Sequence, residues 1–208
     1  MNAQTAVPES DAAVSQEDRA RADFYGLLAR LFYAGPDADL LAALGAADEL
    51  AGEGVNPDLA QTWNSLIAAA AAMDAEAVQA EYDSVFVGTG KAEVTPYAAH
   101  YLAESNKENL LVRLRADLAA MGLSRHPDTA EFEDHFSGLC EVMRHLIFFA
   151  PDVAVQKQKN FFMGYLSSSY AVFCMAVVAS PNTNFYKHVA RFTQAFLDVE
   201  GESFEIAQ

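Results

Sequence analysis

Apolar residues recur along most of this chain at spacings of three and four, the period of an amphipathic helix with one buried face. Phe24, Leu27, Leu28, Leu31 and Phe32 form the first such stripe. Ser15, with Glu17 and Asp18 behind it, starts that helix, and Gly35-Pro36 stops it. Asp37 or Asp39 starts a second helix through Leu40, Leu41, Leu44 and Leu50, ended by Gly52 and Gly54. Asn56-Pro57 is an N-cap followed by proline at the first helical position, opening a third helix that runs to about Met73. Asp74 caps a fourth through Val78, Tyr82, Val85 and Phe86, broken by Gly88 and Gly90.

The second half continues the pattern. Residues 88–96 read as a loop ending at Pro96, and Tyr97 to Leu102 as a short helical turn. A fifth helix covers about Glu104 to Met121, with Leu110, Leu111, Leu114 and Leu118 buried, and Gly122 ends it. Residues 122–130 form a loop containing His126-Pro127. The sixth helix is predicted from Thr129 or Glu131 to Phe149, and Pro151 separates it from a seventh over 152–179. Asn182 caps an eighth that Gly201 closes. No segment alternates with the period of a strand. The expected fold is all-α, a single-domain bundle of about eight helices over residues 15–201, flanked by tails at 1–14 and 202–208. The Gly88–Pro96 and Gly122–Pro127 loops could serve as hinges for a swapped dimer, leaving monomer and homodimer open.

From Asn160 to Tyr186 no charged residue occurs, a stretch long enough to span a membrane. Its serines, its asparagines and Pro181 lower its insertion propensity, so a buried central helix is expected. Met1 to Asp18 carries neither the basic residue nor the apolar core of a secretory leader, which points to the cytoplasm. Cys140 and Cys174 sit in apolar helical patterns and read as buried free thiols.

Charge changes the picture. The formal net charge is −16, and residues 31–90 hold ten acidic side chains with no Lys or Arg. Such a surface repels phosphate backbones, which excludes nucleic acid as a partner, and it attracts basic ones.

Catalytic chemistry finds little support. Glu131 and His135, and Glu141 and His145, are four apart on a helix face, where a di-iron bundle wants Glu-x-x-His. Ser167-Ser168-Ser169 falls mid-helix rather than at a strand-to-helix elbow. Gly88-Thr89-Gly90-Lys91 lacks the spacing of a P-loop. No cofactor or metal is implied, and a helical-bundle metalloprotein or nucleotide hydrolase is the alternative reading. Two fragments fit a binding role better. Tyr82, Val85 and Phe86 are a core stripe or the wall of an apolar peptide groove. Asp134 and His135 point about 100° apart on a helix, so they cap it or line a groove rather than form a dyad.

Tyr82-x-x-Val85-Phe86-x-Gly88-x-Gly90 resembles a motif of the TorD/DmsD-like redox enzyme maturation chaperones. Pro96-Tyr97 with Tyr101-Leu102, and Glu131-x-x-Asp134-His135 followed by Leu139-x-x-x-Met143, resemble the segments that follow it, with Phe132 where the family usually has proline. Lys159-Asn160-Phe161-Phe162 and Phe185-Tyr186 resemble its later helices. The resemblance implies a non-enzymatic cytoplasmic chaperone that binds the twin-arginine signal peptide and apo-form of a molybdoenzyme, assisting cofactor insertion and delaying export. It places Tyr82, Val85, Phe86, Gly88, Gly90, Pro96 and Tyr97 on the apolar part of the peptide site, with Asp134 pairing a signal arginine and Glu131 and His135 bordering it.

Overall fold

The computed structural model describes residues 15–126, 129–149 and 154–206. The expected tail 1–14, Pro127, Pro151 and residues 207–208 lie outside them. Every regular element among the described residues is helical, with no strand among them and one isolated bridge between Tyr97 and His135. In order the helices are α1 (Gln16–Tyr33), α2 (Ala38–Gly45), α3 (Pro57–Ala72), α4 (Ala75–Tyr82), α5 (Glu104–Ala120), α6 (Phe136–Phe149), α7 (Ala154–Phe161), α8 (Tyr170–Ala179) and α9 (Phe185–Ile206). A π turn, Asp83–Val87, extends α4, and a second, Phe162–Leu166, follows α7.

Four of the expected caps are in place. Ser15, Asp37, Asn56 and Asp74 each accept a backbone N–H from the first turn of the helix they start. Each bond satisfies one of the donors that a helix start leaves open.

Several boundaries differ from expectation. α2 stops at Gly45 rather than near Leu50, because α3 claims the following stretch. Trp63 Nε1 donates to the Asp48 carbonyl at 2.9 Å, and Asn64 Oδ1 accepts from Leu50 N at 2.9 Å. The apolar run expected as one helix over 152–179 is broken into α7, the π turn and α8, with a bend of 49° between Val155–Leu166 and Tyr170–Ala179. Ser167 and Ser169, expected mid-helix, stand at the break. Ser167 Oγ donates to the Met163 carbonyl at 2.9 Å and Ser169 Oγ to the Leu166 carbonyl at 3.2 Å, competing with the helical ladder. No single helix among the described residues is long and apolar enough to cross a membrane, though that bent pair meets the criterion of length and composition. α9 passes through Gly201 to Ile206. Phe204, beyond that glycine, is buried against the Phe162 ring at 5.4 Å and holds the last turns down.

One aromatic core joins the helices. Phe24, Trp63, Phe192 and Phe196 meet between α1, α3 and α9. Phe136 stacks on Phe173 at 4.1 Å, and Phe173 meets Phe32, linking α6, α8 and α1. Beside the core lies a polar knot. Arg21 grips Glu200 with two bonds of 2.6 and 2.8 Å, the Tyr25 hydroxyl donates to the same carboxylate, and Arg21 also reaches Gln158. Glu200 and Gln158 are both buried, so this paired charge ties α1 to α9 and α7.

Candidate functional site

The site is built where two irregular segments cross. The sixth helix was expected to start at Thr129 or Glu131; it starts at Phe136. Residues 131–135 instead run beside 96–99. Ala98 N donates to the Asp134 carbonyl at 2.9 Å and Phe136 N to the Pro96 carbonyl at 2.9 Å. These tertiary bonds take backbone groups that another turn of helix would need. Glu131 and His135 are therefore not neighbours on a helix face.

The Asp134 carboxylate is buried and accepts from Ala99 N at 3.1 Å, capping the short 3₁₀ turn Ala98–Tyr101. Burial raises its pKa, and the Ala99 bond works against that rise. The carboxylate that sequence reasoning assigned to a signal arginine thus has one oxygen, Oδ2, bonded by the chain's own backbone. Tyr97 lies edge-on to the His135 ring at 5.1 Å and gives its hydroxyl to Glu131. Burial pushes the His135 pKa down to about 4, so the ring is neutral near pH 7. Its Nδ1 accepts from Ser137 N at 3.2 Å, which leaves the proton on Nε2. Glu133 is held by Arg115 through two bonds of 3.0 and 2.9 Å, and those bonds lower its pKa.

In front of this crossing is a groove of about 410 Å³. Its apolar surface comes from Tyr33, Leu118, Leu123, Val142 and Phe132, and its acids are Glu131, Glu133 and Glu141. His135 also lines it, as do Arg125, His126 and His145. Phe132 is 55% exposed and Tyr33 likewise 55%, so both rings are open to a ligand.

The structure brings Pro96, Tyr97, Glu131, Asp134 and His135 together. It places Tyr82, Val85 and Phe86 elsewhere, all three in the core. Phe86 packs against Phe32, Phe173 and Tyr186. The Tyr82 hydroxyl donates to the carbonyls of Phe32 at 3.2 Å and Tyr33 at 2.7 Å, where α1 ends. Its pKa is pushed up to about 12, chiefly by burial. Gly88 permits a close approach, but from the chain itself. At φ +66° an added Cβ would stand 2.2 Å from the Lys91 carbonyl oxygen. Gly90, at φ +112°, faces open space. The loop after them closes through Val94 N donating to the Val85 carbonyl at 2.9 Å.

Sequence reasoning missed Glu133, Tyr33, Glu141 and, as a site residue, Phe132. Phe132 had a signal, an aromatic set in the acidic run Glu131-Phe132-Glu133-Asp134. Glu133 lies in the same run, whereas Tyr33 and Glu141 gather only through the packing of α1 against α6. Among the described residues no group of three or more His, Cys, Asp or Glu side chains is placed to hold a metal ion.

Fold and groove define a class, an all-helical domain with an acidic, aromatic-edged groove at a crossing of two loops. The description "Nitrate reductase delta subunit" matches residues 53–175, more than half the chain, and the chain belongs to that family. It is 24% identical to the chaperone protein TorD of Colwellia psychrerythraea, over 93% of this chain and 95% of that protein. It is 29% identical to the chaperone protein TorD of Shewanella loihica, over 89% and 93%. A proposed redox enzyme maturation protein from Archaeoglobus fulgidus shares the fold, with a TM-score of 0.52 at 21% identity, covering 93% of this chain and 99% of that one. The family expected from the residues, the TorD-like maturation chaperones, is the one these matches give.

Proposed function

We propose that this protein is a non-enzymatic maturation chaperone of the cytoplasm, which holds the twin-arginine signal peptide of an apo-molybdoenzyme in the groove at the 131–135 segment. The TorD relatives support the general role. The groove is the observation that carries the site. A basic pair followed by an apolar stretch needs carboxylates beside apolar surface, and Glu131 and Glu141 border Phe132, Tyr33, Leu123 and Val142. Glu131 is the first choice for a signal arginine, since among the described residues its carboxylate is bonded by the Tyr97 hydroxyl, a neutral donor. Asp134 is a positioning residue that fixes the wall through Ala99, and His135 offers Nε2–H as a neutral donor. Tyr82, Val85 and Phe86 support the wall from inside.

Calorimetric titration of the full chain with a peptide carrying Arg-Arg before an apolar stretch tests this. Glu131→Gln and Phe132→Ala are expected to weaken binding at least tenfold, and Lys-Lys in the peptide should also weaken it, because lysine cannot reproduce the bidentate contact. No binding by the parent chain, or equal binding by both variants, would refute the assignment.

A further inference from the structure

α8 and the π turn before it take no part in the groove. α8 carries no charged residue over its ten positions, Tyr170–Ala179. A helix apolar on every side belongs inside a protein, and Phe173, Cys174 and Val177 obey that rule. The outer side does not, with Val172 46% and Met175 60% exposed. Met163, on the π turn that precedes α8, is 46% exposed, and π turns are frequent where a protein binds something.

Three hollows of about 600, 360 and 410 Å³ adjoin one another from the π turn to α8, and Met175 lines the last of them. Met163 lines the first two, and Asp58, Ala195 and Asp198 line the last two. None of their lining residues lines the groove at 131–135. The middle hollow is walled by Asp58, Asp198, Glu202 and Glu205, with no Lys or Arg among its lining residues. Asp198 is met by neutral donors, the Tyr170 hydroxyl at 2.6 Å and the Gln194 amide. Arg191 stands in one outer hollow; Arg113, in the other, is turned onto the Tyr165 ring and the Gly164 carbonyl.

We propose that this face docks an amphipathic helix of a partner protein, with its apolar stripe on Met163, Val172 and Met175 and its lysine or arginine residues against the carboxylates of the middle hollow. A ten-residue helix is about 15 Å long, which matches three turns of a ligand helix presenting residues at i, i+3, i+4 and i+7. Methionine is unbranched and polarizable, so it adapts to differing apolar partners. The four carboxylates fix the sign of the partner's charge. They argue against an anionic bilayer, and against a second copy, whose two-fold contact would set the same carboxylates against each other.

The probe is an 18-residue fluorescent peptide of Leu and Lys at helical spacing, titrated against the full chain by anisotropy. Met175→Glu is decisive, because it adds negative charge while removing apolar surface. Docking on α8 predicts at least tenfold weaker binding, with unchanged affinity for Val155→Glu, the same added charge at a 54% exposed position outside the groove and the three hollows. Attraction to the overall charge of −16 alone predicts equal or tighter binding by Met175→Glu, and that result would overturn the proposal. Glu202→Lys with Glu205→Lys gives a second arm, expected to weaken binding at least threefold without touching the apolar face; unchanged affinity there overturns the charge assignment. A dimer by light scattering that Met175→Glu dissociates would assign the face to a second copy and overturn the partner helix.

Discussion

His135 sets how the site answers acid. Its pKa falls from 6.5 to about 4 because burial penalises the charged ring. The unfolded chain therefore binds a proton between those values that the folded chain refuses, and stability rises with pH across that window. At about 1.4 kcal/mol per pH unit the full difference is roughly 3 kcal/mol, complete below pH 4 and absent above about pH 7. At pH 5 it amounts to about 2 kcal/mol. Buried carboxylates titrate nearby, so the contribution is isolated by comparison with His135→Asn, whose Oδ1 can still accept from Ser137 N. Urea unfolding of both proteins at pH 7 and pH 5 is the assay. The parent should lose about 2 kcal/mol more than the variant over that interval. Equal losses would refute a buried neutral His135, and with it the tautomer that presents Nε2–H to the groove.

Other perturbations follow from equally local geometry. Glu200→Ala leaves the half-buried Arg21 without its main partner and the buried Tyr25 hydroxyl without an acceptor; a cost of about 3 kcal/mol is expected, seen as roughly 6–12 °C in Tm. The double variant Arg21→Leu/Glu200→Leu should recover much of that loss, since replacing both charges removes the orphaned one. Glu81 accepts from Asn184, Phe185 and Tyr186 N at 2.8, 3.0 and 2.7 Å, so Glu81→Ala uncaps α9 and should cost about 2 kcal/mol in chemical denaturation. Gly88→Ala combines the penalty of a left-handed residue with a backbone collision and should cost at least about 2 kcal/mol by the same assay. Tyr82→Phe strips a donor from the Phe32 and Tyr33 carbonyls and should cost about 1–2 kcal/mol. It should also weaken binding of the Arg-Arg peptide by titration, although Tyr82 does not line the groove.

What was legible in the chain depended on range. Ser15, Asp37, Asn56 and Asp74 were readable as caps because each partner lies within three residues. Glu81 was not, because the helix it caps starts about a hundred positions later. The sixth helix start was misplaced for the same reason. Nothing local forbids helix at Glu131; the Tyr97 segment does, by pairing with the backbone of 134–136. The break at Ser167–Ser169 was hidden by composition, since a run without charges looks like one buried helix whether straight or bent. Among the expected site residues, Pro96, Tyr97, Glu131, Asp134 and His135 converged, and the loop glycines Gly88 and Gly90 did not join them. Those at helical spacing, Tyr82, Val85 and Phe86, were indistinguishable from core, and core is where they lie.

Burial does not separate the Tyr82 motif from the groove, because the wall of the groove is anchored on it. Tyr33 presents a half-exposed ring to the groove, and its carbonyl is held by the Tyr82 hydroxyl. Phe86 packs on Phe32, one residue earlier, which fixes the last turn of α1 from behind. Across the groove, Asp134 fixes the 3₁₀ turn and Tyr97 reaches Glu131. A ligand would thus meet side chains whose backbones are already tied, and less ordering entropy opposes its binding. The two sequence fragments that looked like opposing walls differ in kind. The 131–135 segment supplies the surface, and residues 82–88 keep the opposite side from moving.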